Sequence, residues 1–390
     1  MKKAIYLFLT GLLLFAACRK DPEPEIYKDA ELTGEKVDVS ALAKLSARKI
    51  FLLNEGQMGA NNASLDVLRL SDGNYVTGAF RKMNPDAGAG LGDVGNDLLV
   101  IGDELWIVIN NSGLIEVVSA KDETEIAVIT VPTPRNIADD GQYAYVSSWA
   151  GAYASYGADY SISDYKNPKG QVYRINLKTK KLEGSAEVGY QPEGLAVCNG
   201  KLYVANSGGI ASQLPPSYTY DNTVSVIDTK TFKVEKTVEV QVNLKNVFPD
   251  GDGGVYVTTL GNYWDVHSGL YWIDANGKVT HVADYVSVAA LQKGRQHDNI
   301  LYCLGSEQEY DWSGAPKTWK GFSCVYGELA DLFLNVTATA PYGFCVLDGI
   351  SFLLSDAGDY FNPGSVSLYQ GSSAVWTVTT GVCPGHFAIW

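Results

Sequence analysis

The segment 191–240 decides the fold, because it contains four short runs in which apolar and polar residues alternate. It reads QPEGLAVCNG KLYVANSGGI ASQLPPSYTY DNTVSVIDTK TFKVEKTVEV. The dipeptide Asn199-Gly200 is typical of a tight turn between antiparallel strands, and the runs on either side are rich in β-branched residues. The segment therefore predicts a sheet of four short antiparallel strands.

The same unit recurs along the chain. A central aromatic residue marks its second strand seven times, at Phe51, Trp106, Tyr145, Tyr203, Tyr256, Tyr302 and Phe352. The third strand also recurs seven times, beginning near Ser64, Leu114, Gln171, Thr223, Gly269, Gly321 and Ser365. Repeats of four strands at this spacing are typical of β-propeller blades. We therefore predict an all-β fold, a seven-bladed propeller of four-stranded antiparallel blades.

The two ends of the predicted propeller complement each other. The first blade begins at Lys49 with its second strand and lacks an inner strand. The last residues, PGHFAIW at 384–390, repeat the first-strand pattern found at 192–197 and then stop. We expect this C-terminal strand to join blade one and close the ring, which removes exposed sheet edges.

The N-terminus predicts export. Residues 1–17 have the pattern of a lipoprotein signal peptide, with Lys2 and Lys3 before a short apolar run. The run ends in LFAAC at 14–18, which resembles a bacterial lipobox and makes Cys18 the predicted lipidated residue. Residues 18–48 are charged and rich in proline near their start, so we expect a flexible acidic tether, and residues 49–390 form the propeller. The expected location is the outer membrane, lipid-anchored and facing the cell exterior.

Charge and cysteine usage narrow the possible functions. The net charge is −14, or −16 without the two lysines of the signal peptide, which argues against nucleic-acid binding. Five cysteines remain besides Cys18, and most lie in apolar strand-like runs. We expect them to be small buried hydrophobic residues, although one disulfide is compatible with the sequence.

One face of the propeller is predicted to bind a ligand. The loops between second and third strands share a side with the starts of the inner strands, and several are long and rich in aromatic residues, Asn, Gly and Ser. Such loops suit a large, flat, partly apolar ligand, although packing of loop on loop is an alternative explanation. The candidate ligand-binding residues are Asn54, Asn110, Asn111, Arg135, Asn136, Trp149, Glu193, Asn206, Tyr218, Asn262, Tyr263, Trp264, Tyr310, Trp312, Tyr342, Tyr360 and His386.

Signals for catalysis are weak. The four histidines, His267, His281, His297 and His386, have no metal-binding spacing, and the chain has neither a haem-attachment motif nor a nucleophile elbow. We therefore expect a protein that is not an enzyme, with no catalytic residues, no metal and no cofactor.

The repeat unit resembles the YncE-like, surface-layer-type seven-bladed propellers. Asn54-Glu55-Gly56 followed by NNASL at 61–65 is similar to the opening of the Bacteroidetes lipoprotein branch of that group, which includes the BtuG-type proteins. The resemblance implies capture of cobalamin or another corrinoid at the cell surface and transfer to a TonB-dependent outer-membrane transporter. Residues alone leave two alternatives open: a glycan-binding surface module or adhesin, and a propeller lyase or lactonase.

Overall fold

A computed structural model describes residues 34–88, 90–157, 161–214, 217–293, 299–307 and 314–390. These residues form seven four-stranded antiparallel sheets, and the inner strands of the seven sheets surround a central channel. The predicted seven-bladed propeller is therefore confirmed. Cys18 and most of the expected tether lie outside the described residues.

The blades follow one another along the chain, each from its inner to its outer strand. Blade 1 contains β31 (Pro384–Ile389), β2 (Lys49–Asn54), β3 (Ser64–Arg69) and β4 (Asn74–Val76). Blade 2 contains β5 (Gly95–Ile101), β6 (Glu104–Ile109), β7 (Leu114–Ser119) and β8 (Glu125–Thr130), and blade 3 contains β9 (Pro134–Asp139), β10 (Tyr143–Ser148), β13 (Gln171–Asn176) and β14 (Leu182–Glu187). Blade 4 contains β15 (Pro192–Cys198), β16 (Lys201–Asn206), β17 (Thr223–Asp228) and β18 (Lys233–Glu239).

The remaining blades have the same order. Blade 5 contains β19 (Leu244–Pro249), β20 (Val255–Thr259), β21 (Gly269–Ile273) and β22 (Val279–Asp284). Blade 6 contains β23 (Val286–Gln292), β24 (Ile300–Gly305), β25 (Lys317–Val325) and β26 (Glu328–Ala338). Blade 7 contains β27 (Pro341–Val346), β28 (Ser351–Asp356), β29 (Pro363–Gln370) and β30 (Ser373–Val382).

Three further elements lie outside the blades: β1 (Glu35–Lys36) beside β4, the hairpin of β11 (Tyr153–Tyr156) and β12 (Ile162–Lys166), and the short helix α1 (Ala79–Met83). Two 3-10 turns lie at Ser40–Leu42 and Ala211–Gln213. Within the described residues, no helix is long and apolar enough to cross a membrane.

The hydrophobic core is divided into seven layers, one between each pair of neighbouring blades. The seven second-strand aromatics lie in these layers and are at most 9% exposed. Alternation along each strand sends side chains to both faces of its sheet, and both faces pack against a neighbouring blade. This arrangement explains why the second strands are apolar almost throughout.

The ring closes as the sequence predicts. Strand β31 pairs antiparallel with β2, with Leu53 opposite His386 and Phe51 opposite Ala388. It also lies beside the inner strands β27 and β5 of the two neighbouring blades. The C-terminal strand thus supplies the missing inner strand of blade 1.

Residues 34–48 are ordered, whereas the sequence predicts that they belong to a flexible tether. They pack on the propeller instead of extending freely: β1 adds a fifth strand to blade 1, and Leu42 is buried in the layer between blades 7 and 1. The indole of Trp376 donates a hydrogen bond to the carbonyl of Asp38. Burial of apolar side chains, including Val37, Val39 and Leu45, offsets the entropy cost of ordering this segment.

The five cysteines of the propeller are all buried and unpaired, so the disulfide that the sequence allowed is not formed. Burial raises the pKa of Cys345 to about 12 and that of Cys383 to about 11. These thiols remain protonated near neutral pH and act as small apolar residues.

Candidate functional site

Strand register places the long loops and the starts of the inner strands on one face. The last residue of the second strand pairs with the first residue of the inner strand, as Asn206 does with Pro192 and Asn54 with Pro384. We call the side with the described loop residues 55–63, 110–113, 149–157, 161–170, 207–214, 217–222, 260–268, 306–307, 314–316 and 357–362 the loop face. The side with the short turns 102–103, 140–142, 199–200, 250–254 and 347–350 is the turn face.

Exposed aromatic side chains are confined to the loop face. Eight aromatic side chains of the described residues are more than 40% exposed, and none lies on the turn face or the outer strands. They are Tyr153, Tyr156, Tyr165, Tyr218, Tyr263, Trp264, Tyr360 and Phe361. A single-sided cluster of exposed rings is typical of a binding surface, since isolated surface hydrophobics would be scattered.

On the loop face, the long loops of blades 3 and 4 pack against each other. The hairpin β11–β12 of blade 3 contacts the blade 4 loop through a small apolar cluster that includes Ala152, Ile210 and Leu214. The hydroxyl of Tyr156 also donates a hydrogen bond to Gln213. Part of the aromatic content of these loops therefore stabilises the loops themselves, which was the alternative explanation offered by the sequence.

A backbone irregularity recurs near the start of every inner strand. In each blade the register with the second strand shifts within the first few inner-strand residues. Bulges of this kind re-aim side chains and often lie beside functional sites. The second residues of the seven inner strands lie where the central channel opens on the loop face, and we call this opening the mouth. These mouth residues are Asn96, Arg135, Glu193, Lys245, Ser287, Tyr342 and Gly385.

Arg135, Glu193 and Trp149 form the first polar group at the mouth. Arg135 Nε donates to Glu193 Oε2 at 2.9 Å, and its guanidinium lies 4.4 Å from the centre of the Trp149 ring. The indole N–H of Trp149 donates to the other oxygen, Glu193 Oε1, at 3.2 Å. Burial raises the pKa of Glu193, and the charge of Arg135 offsets this only in part. The three side chains hold one another in a fixed geometry.

His386 links two carboxylates in a second group. Its Nε2 lies 3.1 Å from Glu55 Oε1, and its Nδ1 lies 3.8 Å from Asp97 Oδ1. The hydroxyl of Tyr342 donates to Glu55 Oε2 at 2.7 Å. Burial acts to raise the pKa of Glu55, but the hydrogen bonds from His386 and Tyr342 lower it below its ordinary value. Burial raises the pKa of Asp97.

Lys245 lies between these two groups without joining either. Its ammonium interacts electrostatically with Glu55 and Glu193, yet no described residue accepts a hydrogen bond from it or forms an ion pair with it within 4 Å. Burial lowers its pKa, and the two carboxylates oppose that change. The amine of Lys245 therefore keeps its hydrogen-bond donors for a ligand.

Behind the mouth lies a channel of about 500 Å³. Asp97, Asn136, Lys245 and His386 line its polar part, while apolar side chains such as Phe248 and Phe344 line the rest. The described residues contain no group of three or more His, Cys, Asp or Glu side chains arranged to hold a metal ion. We call the exposed aromatic side chains of the loop face the rim. The arrangement can bind the polar edge of a ligand at the mouth and the apolar surface of the ligand at the rim.

The structure separates the predicted site residues into four sets. One set is the asparagines whose amides bond within the protein, Asn54, Asn110, Asn111, Asn206 and Asn262. Those brought together at the mouth or beside it are Arg135, Asn136, Trp149, Glu193, Tyr342, Tyr360 and His386. Those standing exposed at the rim are Tyr218, Tyr263 and Trp264. Tyr310 and Trp312 lie outside the described residues.

Five predicted asparagines already bond to groups of the protein itself, and their contact with a ligand stays a prediction. Asn54, Asn110 and Asn206 are at most 4% exposed, and their amides bond to neighbouring strands, as Asn110 Nδ2 does to the carbonyl of Pro134. Asn111 bonds Asp93, and the carboxamide of Asn262 caps its own loop. These amides satisfy backbone groups and side chains where strands end, which uses the donors that a ligand would need.

Sequence reasoning missed Glu55 and Asp97, which bind His386 from both sides. Asp97 is the third residue of its inner strand, the position that His386 occupies in β31. Comparing equivalent positions across the seven repeats would have drawn attention to it. Glu55 is the first residue after β2, where only the three-dimensional pairing of β2 with β31 brings it to His386.

No protein-family model matches the chain, and no curated protein matches it in sequence. Solved structures share its architecture at low sequence identity. Hydrazine synthase of Kuenenia stuttgartiensis is similar with a TM-score of 0.52 and 15% identity over 75% of this chain and 88% of that chain. A protein of unknown function from Desulfotomaculum acetoxidans gives 0.53 and 12% identity over 87% and 98%. At these identities the likeness shows the propeller fold alone.

Proposed function

We propose that this protein is a surface lipoprotein that captures a large, flat, amphipathic ligand on the loop face, most specifically cobalamin or another corrinoid. The observation that carries the proposal is that, among the described residues, the eight aromatic side chains that are more than 40% exposed all lie on one face. A corrinoid has a wide apolar ring and a polar fringe, so it needs aromatic surface surrounding hydrogen-bonding groups. The rim and the mouth offer these two features side by side.

The proposed cellular role rests on the N-terminal sequence. Lipidation at Cys18 would anchor the chain to the outer membrane without a spanning helix. A ligand held on the loop face could then pass to a TonB-dependent transporter. Capture without chemistry is favoured because the mouth carboxylates are engaged in hydrogen bonds with protein groups.

The test is direct, because corrinoids absorb visible light. The purified chain is mixed with cyanocobalamin at micromolar concentration and separated by gel filtration while visible absorbance is recorded. We expect red absorbance to elute with the protein. Free protein and free corrinoid eluting separately would overturn corrinoid capture. Binding to a glycan array in that case would favour the glycan module, and turnover of a uronic-acid polymer or lactone would favour an enzyme.

A further inference from the structure

The mouth of the channel has an imbalance between hydrogen-bond donors and acceptors. Every carboxylate oxygen of Glu55, Asp97 and Glu193 already accepts a hydrogen bond from the protein. Glu193, for example, accepts from Trp149 through one oxygen and from Arg135 through the other. Each of these oxygens thus has a partner in the protein, and these bonds fix the three carboxylates in place.

The donors are used less completely. Arg135 bonds Glu193 through Nε, while its two Nη atoms make no hydrogen bond to another described residue. The ammonium of Lys245 has no hydrogen-bond partner among the described residues and is close enough to Arg135 for their charges to repel. Two basic side chains thus present unused N–H groups in a half-buried recess, where hydrogen bonds to an anion are strong.

We propose that Arg135 and Lys245 form a subsite for a singly charged oxyanion of the ligand, a phosphodiester or a carboxylate. This inference rests on the proposed ligand-capturing function of the loop face. A group with accepting oxygens fits these unused donors, while a group that only donates cannot bond to them. The nearby carboxylates of Glu55 and Glu193 disfavour a doubly charged anion, so a diester is preferred to a monoester.

The fixed neighbours of the subsite support this assignment. The guanidinium of Arg135 is held by Glu193 and by the Trp149 ring, so its free edge is oriented before a ligand arrives. Donors oriented in this way lose little side-chain entropy when they bind a planar or tetrahedral oxyanion. Lys245 belongs to β19 of blade 5, two blades from Arg135 in blade 3, and lines the channel. Its strand lies against β15, because a Cβ on Gly194, the neighbour of Glu193, would lie 2.6 Å from the carbonyl oxygen of Lys245.

The decisive variant is Lys245→Met, because removing this ammonium breaks no hydrogen bond within the described residues. Lys169→Met is the matched control: Lys169 is also on the loop face, but its ammonium lies over the Tyr190 ring, 4.0 Å from its centre. The probe is diethyl phosphate, whose binding is followed by broadening of its phosphorus NMR signal. We expect binding by the unmodified protein and by Lys169→Met, and about tenfold weaker binding by Lys245→Met, as loss of a charge-assisted hydrogen bond implies. Equal binding by all three proteins, or none by the unmodified protein, would overturn the subsite.

A second arm identifies the source of the oxyanion and separates this inference from the proposed function. Cobalamin carries a phosphodiester in its nucleotide loop, and cobinamide lacks that loop. If the corrinoid supplies the oxyanion, Lys245→Met weakens binding of cobalamin and leaves binding of cobinamide unchanged. Binding of diethyl phosphate without any corrinoid binding would retain the subsite and reject corrinoid capture, and a carboxylate such as glucuronate would then be tested in the same way. Corrinoid binding that is indifferent to Lys245→Met would retain capture and reject the subsite.

Discussion

Glu116 is a buried carboxylic acid that weakens the fold at high pH. It lies in the middle of β7 and is 6% exposed, and no described residue donates a hydrogen bond to its Oε2. Burial, assisted by repulsion from Glu125, raises its pKa to about 7. In the unfolded chain this acid ionises at lower pH, so the folded state loses stability as pH rises from the unfolded pKa to about 7 and is then insensitive to pH.

We therefore predict that Glu116→Gln stabilises the protein at pH 8 and has little effect at pH 4. The gain at pH 8 should be about 1–3 kcal/mol in the free energy of unfolding, because a shift of one pKa unit corresponds to about 1.4 kcal/mol. Urea denaturation at the two pH values measures it, with the exposed Glu187→Gln as control. A gain of equal size at pH 4 would show that packing, and not ionisation, causes the effect.

At the residue scale, the repeat pattern predicts the strand position of a candidate residue but not the direction of its side chain. Arg135, Glu193 and Tyr342 are second residues of inner strands, so their place at the mouth follows from the repeat. Asn54 and Asn206 are also on the correct face, but their amides turn inward to neighbouring strands. The sequence pattern predicts at which edge of the sheet a residue lies. Whether its side chain faces a ligand depends on which nearby backbone and side-chain groups form hydrogen bonds with it.

At the scale of elements, the inner strands approach one another so closely that certain positions require glycine. Gly343 and Gly194 are both third residues of inner strands. A Cβ atom on Gly343 would lie 2.6 Å from the carbonyl oxygen of Gly385 in β31 and 2.8 Å from the hydroxyl of Ser355. The backbone of Gly385 cannot move away from such a Cβ atom unless the ring-closing strand β31 also moves.

We predict that Gly343→Ala lowers the free energy of unfolding by about 1–3 kcal/mol, the usual cost of overpacking. Gly88→Ala is the control, because a Cβ there would meet no atom within 4 Å. Thermal unfolding of the two variants compares them directly. If Gly343→Ala were as stable as the unmodified protein, the close approach of β27 and β31 would be wrong.

The elements that the sequence failed to predict are those without a repeat equivalent. The hairpin β11–β12 carries mostly exposed polar and aromatic residues, so its alternation was hidden within a long loop. Residues 34–48 look like a charged tether because their few apolar residues are spaced irregularly. Both elements are stabilised by contacts with residues that are far away in the sequence, which local patterns do not contain.

In the whole molecule, stability and function are assigned to different regions. The seven hydrophobic layers bury the sheet faces between blades and form a rigid ring. Because this ring closes through β31, the loops of the loop face can vary without exposing a sheet edge. Ligand binding should therefore be sensitive to loop-face side chains whose removal leaves the stability of the ring unchanged.

Trp264 tests this separation, because it is 87% exposed in the blade 5 loop and contributes little to folding. We predict that Trp264→Ala weakens binding of cyanocobalamin by about tenfold, as expected for an aromatic contact at a binding surface, and leaves the unfolding temperature unchanged. The control is Ile350→Ala, which removes a side chain that is 67% exposed on the turn face. Titration followed by visible absorbance gives both affinities. Equal weakening by the two variants would mean that the ligand is not confined to the loop face, and weakening by Ile350→Ala alone would move the binding surface to the opposite side of the ring.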